Sequence, residues 1–209
     1  MTFEQFTELS SKYSAIPVYR KLLADVVTPV SLYLKLRDGA RYPFLLESVE
    51  GGEHLARYSF MGRDPYLVLR SDGGKPIVQD VKNETLETPE DVSFYDVLKK
   101  YTTMHTEPKL QGLPRLTGGA VGYSSYDTIR YTEHLPNAPA DALGLPDAQW
   151  SFYDEIYAID HVKHQVILMK TVFVDGSREL KDQYDEAVSA LDRMQSVMSS
   201  EGSVGSFSL

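Results

Sequence analysis

Short apolar runs separated by turn-forming residues recur along the chain, and they predict strands that pair as hairpins. The run Tyr66–Arg70 precedes Ser71–Gly74, whose Asp-Gly step favours a tight hairpin turn, and Pro76–Asp80 is the returning strand. Glu155–Asp160 and Gln165–Lys170 flank a short polar turn in the same way. Strands that pair with their neighbours in sequence are typical of an antiparallel sheet.

The stretch Val30–Leu36 alternates between apolar and more polar residues. Its even-numbered positions are all apolar, whereas its odd-numbered positions are serine, tyrosine and lysine. This period of two predicts a strand with one buried face. Pro29 directly precedes the stretch and biases Thr28 away from the helical region.

Three helices are predicted from cap residues and from apolar side chains on one helical face. Thr2 and Gln5 form a capping box for an N-terminal helix that ends before Pro17, and Ser93 and Ser177 cap two further helices. The apolar stripes of these two are Phe94, Val97, Leu98 and Tyr101, and Leu180, Tyr184, Ala187, Val188, Leu191 and Met194. Hairpins with separate helices predict an α+β fold, with a largely antiparallel β-sheet and flanking helices.

The composition changes at the C-terminal end. Residues 199–209 are rich in serine and glycine, which is the composition of a flexible linker. We therefore predict one domain over residues 1–198, followed by a linker over residues 199–209.

The central stretch of the chain consists of two apolar runs around a glycine-containing loop. Phe44–Val49 leads into Glu50–His54, and Ala56–Gly62 is the second run. We expect the two runs to pair as a hairpin.

Such a hairpin brings Glu47, Ser48 and Arg57 close together at its mouth. A carboxylate accepts hydrogen bonds from an ammonium group, and a hydroxyl or backbone amide donates to a carboxylate. An arginine holds a carboxylate through two parallel hydrogen bonds. The grouping therefore suits a free amino acid, and the alternative is a hairpin with ordinary polar residues at its end.

A glycine-rich stretch, Leu116–Tyr123, is the second marker in the sequence. Its Gly-Gly-x-x-Gly spacing does not fit the dinucleotide-binding fingerprint, and no Gly-Lys-Ser/Thr follows as in a phosphate-binding loop. Glycines among small apolar residues allow two backbones to approach closely. The stretch is therefore either a tightly packed strand or a ligand cradle.

Composition and charge exclude several classes of function. The net charge of −9 argues against nucleic acid and against anionic membrane surfaces as partners. The absence of cysteine excludes disulfides, zinc–thiolate sites and thiol catalysis. The N-terminus lacks the basic and apolar regions of a signal peptide, and no apolar run reaches the roughly 20 residues that span a bilayer. We therefore expect a cytoplasmic protein.

The sequence contains no convincing catalytic or metal-binding motif. His161 and His164 are three residues apart, but they lie on a predicted hairpin turn rather than on a helix, which makes a metal pair a weak alternative. Asp147, Asp154 and Glu155 are acidic, yet they fit solvated strand ends better than acid/base catalysts. No Gly-x-Ser-x-Gly or His-Glu-x-x-His pattern occurs. We predict no catalytic residue and no metal ligand in this chain.

Three sets of motifs follow one another in a specific order along the chain. The first is Leu45-Leu46-Glu47-Ser48 followed by Ala56–Gly62. The next are Gly118-Gly119-x-Val121-Gly122-Tyr123 with Tyr126-Asp127, Arg130, Glu133 and Leu135-Pro136, and then Leu145–Ala148 with Trp150–Tyr153. From about Thr28 to Val174 this order resembles anthranilate synthase component I, the large subunit of the first enzyme committed to tryptophan synthesis.

The resemblance implies that this chain is an N-terminal regulatory part without the catalytic domain. In this family the C-terminal domain converts chorismate, with glutamine or ammonia, to anthranilate, and its carboxylates bind magnesium. The implied partners are that catalytic domain, a glutamine amidotransferase subunit and L-tryptophan as feedback inhibitor. Magnesium is accordingly expected for the complete enzyme and no cofactor in this chain.

The resemblance also implies which residues contact tryptophan. Ser48 is the leading candidate and Glu47 the next, while the other candidates are Arg57, Tyr58 and Ser59 on the following strand and Pro29 and Val30 beside the indole ring. The same portion of aminodeoxychorismate synthase component I, from folate synthesis, is the alternative within this architecture, and Leu-Leu-Glu-Ser favours the first family. A stand-alone amino-acid-binding module is the alternative from another class.

Overall fold

The computed structural model describes residues 1–24, 27–47, 57–137 and 140–199. They form ten strands: β1 (Ala15–Leu23), β2 (Phe44–Leu46), β3 (Tyr58–Gly62), β4 (Leu67–Asp72), β5 (Lys75–Asp80), β6 (Thr85–Glu87), β7 (Gly119–Ser124), β8 (Ala148–Tyr153), β9 (Glu155–Asp160) and β10 (Gln165–Phe173). The helices among them are α1 (Phe3–Ser10), α2 (Pro29–Arg37), α3 (Phe94–Thr103), α4 (Leu180–Ser199) and a 3₁₀ helix over Tyr126–Tyr131. None of the described helices is long and apolar enough to cross a membrane. Apart from Ser199, the predicted linker lies outside the described residues.

The chain divides into two compact units. The first comprises Met1–Asp64, His105–Gly119 and Tyr153–Leu209, and the second comprises Pro65–Met104 and Ala120–Phe152. One five-stranded sheet has the order β1-β10-β9-β3-β2, and the other has the order β6-β5-β4-β8-β7. Antiparallel pairing runs through both sheets and helices pack beside them, so the predicted α+β fold is confirmed.

The core of the first unit lies between its sheet and the helices α1, α2 and α4. Its fully buried side chains include Phe6 on α1, Leu36 on α2 and Leu168 on β10. A predicted hairpin supplies the centre of this sheet, because β9 and β10 pair in the register Asp160↔Gln165 around a short turn. The central strands therefore follow the sequence pattern, and most residues of β9 and β10 are buried.

The second unit is built on the other predicted hairpin. β4 and β5 pair in the register Asp72↔Lys75, and both residues of the turn, Gly73 and Gly74, have positive φ of 54° and 85°. This is the conformation that a two-residue hairpin turn requires and that glycine adopts without strain. α3 begins after Ser93, whose side chain accepts a hydrogen bond from the Asp96 amide, so the predicted cap is confirmed.

The predicted strand over Val30–Leu36 is wrong, because these residues belong to helix α2. Thr28 caps the helix, and Pro29 occupies its first turn, where its missing N–H costs nothing. Thr28 and Ser31 form a reciprocal capping box. Leu32 and Leu36 are buried one helical turn apart. A spacing of four residues puts two side chains on one face of a helix and also on one face of a strand, so it fits both predictions.

Two further details differ from the sequence prediction. The short strand β6, which the sequence does not predict, pairs with β5. Ser177 does not begin the last helix, because α4 starts at Leu180 and the Ser177 hydroxyl donates to the Asp175 carboxylate at 2.7 Å. Short edge strands and cap positions depend on neighbours in space as well as on local sequence.

The glycine-rich stretch is a tightly packed strand, as one of the two predictions for it proposed. A Cβ atom at Gly118 would lie 2.9 Å from the Thr171 hydroxyl oxygen. Gly119 has a φ of 121°, which L-residues rarely adopt. At Gly122 a Cβ atom would lie 2.0 Å from the Gln149 carbonyl oxygen. Each of the three positions thus requires glycine for a different physical reason.

Candidate functional site

The predicted central hairpin forms at the edge of the first sheet. β2 pairs antiparallel with β3 in the register Leu45↔Met61, and α2 packs against both strands. Ser48, the leading candidate contact, lies outside the described residues. Glu47 directly follows β2 and is exposed. The structure therefore describes the two ends of the segment that carries Ser48.

Arg57, at the start of β3, pairs with a carboxylate from a distant part of the chain. Its Nε donates to Asp160 Oδ1 at 3.1 Å, and its Nη2 donates to Asp160 Oδ2 at 2.7 Å. The Arg57 side chain is 34% exposed, whereas the Asp160 side chain is 1% exposed. The guanidinium also lies 4.9 Å from the centre of the Tyr58 ring. One edge of the arginine fork is thus occupied within the protein.

Asp160 closes the β9–β10 turn as well as binding Arg57. Its Oδ1 accepts hydrogen bonds from the amides of Val162 at 3.1 Å and Lys163 at 3.2 Å. Burial of the carboxyl acts to raise the pKa of Asp160, but the hydrogen bonds from Arg57 and the turn amides outweigh it. The pKa of Asp160 therefore lies below its ordinary value.

Acidification is expected to weaken this part of the fold. A carboxyl whose pKa is lowered by folding stabilises the folded chain when the pH is above 3.8, its pKa in the unfolded chain. This contribution is lost as the pH falls through the pKa of the folded chain. Asp160→Asn should lower the free energy of unfolding by about 2 kcal/mol near neutral pH. Below about pH 4 the difference between wild type and variant should shrink. Urea unfolding across this pH range measures both quantities.

The exposed Asp72 provides the matched control for this prediction. Asp72→Asn removes a carboxylate from the edge of the β4–β5 turn, and we expect a change within about 0.5 kcal/mol at every pH. The prediction would be contradicted if the difference in free energy of unfolding between wild type and Asp160→Asn stayed constant down to pH 3, because the ionised carboxyl of Asp160 would then not be the stabilising group.

Tyr58 and Ser59 point to opposite faces of β3, because successive residues of a strand alternate. Ser59 is fully buried, and its hydroxyl is 2.8 Å from His161 Nε2. Tyr58 is partly buried, and it lies directly opposite Asp160 on β9. The two candidate residues therefore line different surfaces rather than one common wall.

Pro29 and Val30 occupy the first turn of α2. Val30 is 49% exposed and Pro29 is partly buried. Because α2 packs against β2 and β3, both residues belong to an element that adjoins the candidate hairpin. An exposed valine beside an edge hairpin can cover an apolar ligand, as the predicted indole contact requires.

Two residues that the sequence does not indicate, Asp160 and His161, contact the candidate residues. The sequence predicts a strand for Asp160 and, for His161, only a weak metal pair with His164. In the structure Ser59 and His161 bond to each other, and the Arg57 carbonyl accepts from the His161 amide at 2.9 Å. No local pattern signals these contacts, because the partners are about a hundred residues apart in the chain.

The other acidic residues considered in the sequence have structural partners. Asp154 and Glu155 both accept from Lys170 Nζ, at 2.6 Å and 3.1 Å. Asp147 accepts from the Tyr131 hydroxyl at 2.6 Å. Among the described ranges, no group of three or more histidine, aspartate and glutamate side chains is arranged to hold a metal ion.

The second unit contains an open cavity of about 720 Å³, a size typical of small-molecule sites. Asp127, Asp141 and Asp147 line it, and Arg130, the cation among its described lining residues, donates a hydrogen bond to the Asp127 carboxylate at 2.6 Å. Burial and the bond to Asp147 raise the pKa of Tyr131, which also lines the cavity, to about 12. None of the candidate tryptophan contacts that the structure describes lines this cavity, and an acidic lining does not favour an anionic ligand.

Comparison with known proteins supports the motif-based resemblance. The chain is 36% identical over 196 residues to anthranilate synthase component 1 of Acetivibrio thermocellus and 36% identical over 200 residues to the probable anthranilate synthase component 1 of Schizosaccharomyces pombe. Each alignment covers 94% of this chain. No family model matches. The resemblance to anthranilate synthase component I is thereby confirmed over most of the chain.

The fold is similar to that of a solved structure with the same name. The crystal structure of anthranilate synthase component I from Streptococcus pneumoniae matches with a TM-score of 0.50 and 22% identity, over 83% of this chain and 36% of that chain. The chain spans 38% and 37% of the length of the two curated relatives. The likeness therefore concerns one part of a longer kind of protein.

Proposed function

We propose that this chain is the N-terminal regulatory part of an anthranilate synthase component I and that it carries part of a binding site for L-tryptophan. The observation that carries the proposal is the match of nearly the whole chain to 38% of a relative of that name. In this proposal chorismate, magnesium and a glutamine amidotransferase subunit belong to the complete enzyme, and tryptophan acts as its feedback inhibitor.

The edge hairpin supports the location of the tryptophan site. Glu47 lies at the exposed end of β2, where a carboxylate can accept from a ligand ammonium. Tyr58 and Val30 supply partly exposed apolar surface on the neighbouring elements β3 and α2. In the proposal Ser48, directly after Glu47, provides the hydroxyl and the backbone amide for the ligand carboxylate.

Ligand size sets the affinity to expect. Tryptophan has about 15 non-hydrogen atoms, and at roughly 0.3–0.5 kcal/mol per atom a complete site yields about −5 to −8 kcal/mol. This range corresponds to dissociation constants from about the high micromolar to the low micromolar. A site that lacks one wall binds more weakly, by a few kcal/mol.

Calorimetric titration of the 209-residue chain with L-tryptophan tests the proposal. We expect saturable binding in the millimolar range or tighter, and at least tenfold weaker binding of L-phenylalanine, which lacks the indole N–H and the second ring. Equal affinity for both amino acids, or no heat with a well-folded sample, would overturn the placement of the site in this chain.

Ser48→Ala is expected to weaken tryptophan binding at least tenfold. The substitution removes a hydroxyl that donates to the ligand carboxylate, and hydrogen bonds to charged groups contribute about 1.5–3 kcal/mol. The matched control is Ser196→Ala, at an exposed position on α4, which should leave the dissociation constant unchanged. Affinity unchanged in Ser48→Ala as well would remove Ser48 from the site.

A further inference from the structure

The β9–β10 turn, residues 161–164, holds the ends of two segments that carry candidate tryptophan contacts. The His161 amide donates to the Arg57 carbonyl at 2.9 Å, directly before Tyr58 and Ser59. The His164 carbonyl accepts from the Ala24 amide at 3.0 Å, in the segment that leads to α2. Backbone bonds from one short turn thus reach the residue that precedes β3 and the residue that follows β1.

Side chains reinforce the first of these links. Asp160 accepts four hydrogen bonds, two from the Arg57 guanidinium and two from the amides of Val162 and Lys163. Oδ1 accepts three of these hydrogen bonds and Oδ2 accepts one, so both carboxylate oxygens are engaged within the protein. The Ser59 hydroxyl and His161 Nε2 form a further contact at 2.8 Å. Arg57 is therefore tied to the turn by its side chain and by its backbone.

These contacts change the role expected of Arg57. The Nε–Nη2 edge, through which arginine binds a carboxylate side-on, is occupied by Asp160. The charge of the guanidinium is balanced by a carboxylate that is only 1% exposed, so it attracts a ligand anion less strongly than an unpaired arginine would. A ligand carboxylate that approached the Nε–Nη2 edge would have to displace Asp160.

We infer that Arg57 and Asp160 are positioning residues of the tryptophan site: together they fix the start of β3 to the β9–β10 turn and do not themselves bind the ligand carboxylate. This inference rests on the proposed function. It separates two groups of candidates that the sequence placed together, those that contact the ligand and those that hold the contacting residues in place.

The experiment compares L-tryptophan with tryptamine, which keeps the indole ring and the ammonium group but lacks the carboxylate. Both ligands are titrated into wild type, Arg57→Gln and Asp160→Asn by calorimetry. We expect each variant to weaken the binding of both ligands by the same factor, at least about fivefold, so that the ratio of the two dissociation constants is unchanged. The double variant should bind each ligand no more weakly than the single variant with the lower affinity, because both substitutions break the same contact.

Two controls separate positioning from general loss of stability. Leu191→Ala removes a buried side chain from α4 and should destabilise the first unit without changing either dissociation constant more than twofold. Arg57→Lys keeps the charge but loses the planar fork. It should behave like Arg57→Gln, and it provides a milder substitution where the glutamine variant does not fold.

Each outcome decides the question. If Arg57→Gln weakens tryptophan but not tryptamine, Arg57 binds the ligand carboxylate and the inference is overturned. If folded variants bind both ligands like wild type, the turn has no positioning role. Failure of wild type to bind tryptophan overturns the proposed function instead, and is recognised before any variant is made.

Discussion

Replacing Gly122 with alanine is expected to lower the free energy of unfolding of the second unit by about 3 kcal/mol. The added Cβ atom would lie 2.0 Å from the Gln149 carbonyl oxygen and 2.7 Å from Trp150 Cα. Both obstacles are backbone atoms of β8, so no side chain can rotate away to make room. Strands β7 and β8 would have to separate, which disrupts the hydrogen bonds that pair them.

Trp150 makes this prediction simple to measure. It is the only tryptophan in the chain, and its indole N–H donates to the Ser124 hydroxyl at 3.2 Å, from β8 to β7. We expect a shifted emission maximum in Gly122→Ala and a lower urea midpoint followed by fluorescence.

The matched control is Gly176→Ala. A Cβ atom at Gly176 meets nothing within 4 Å, so the same substitution there should change stability by less than about 1 kcal/mol. Equal midpoints for Gly122→Ala and Gly176→Ala would show that β7 and β8 do not approach as closely as described.

Leu36→Ala should destabilise the first unit by about 3 kcal/mol. The Leu36 side chain is fully buried on α2, and its removal leaves a cavity that packed neighbours fill only in part. Urea unfolding followed by far-ultraviolet circular dichroism measures the loss.

Leu34→Ala is the informative companion, because the two possible secondary structures predict different results for it. In a strand with one buried face, Leu34 and Leu36 would share that face and both substitutions would cost the same. In helix α2 Leu34 is only partly buried, and we expect a loss below about 1 kcal/mol. Equal losses would contradict the helix.

The hairpins were predictable because their determinants are local. Gly73 and Gly74 specify a turn by their own conformational preferences, and the flanking residues alternate or form short apolar runs. The same holds for the Ser93 cap. Val30–Leu36 is different, because its alternation predicts a strand, whereas Thr28 and the proline after it form the start of a helix.

The candidate site was predictable only in part. The motifs around Glu47 and the glycine-rich strand indicated a family, and through it a ligand. They could not indicate that Arg57 pairs with Asp160, because the chain offers thirty acidic residues and folding alone selects one of them. Contacts between residues distant in sequence are decided by topology, so the distinction between contacting and positioning residues needed the structure.

The strand order of the first sheet has a consequence for how the protein is made. β1 emerges early from the ribosome, yet its only partner in the described sheet, β10, is synthesised about 150 residues later. At about 5–20 residues per second, the delay is on the order of ten seconds. Ile16 and Val18, which are buried in the folded sheet, remain unpaired with β10 in the nascent chain during this time, whereas β4 and β5 can pair as soon as both are synthesised. Synthesis therefore favours early folding of the β4–β5 hairpin, and the sheet that carries the candidate site is completed last.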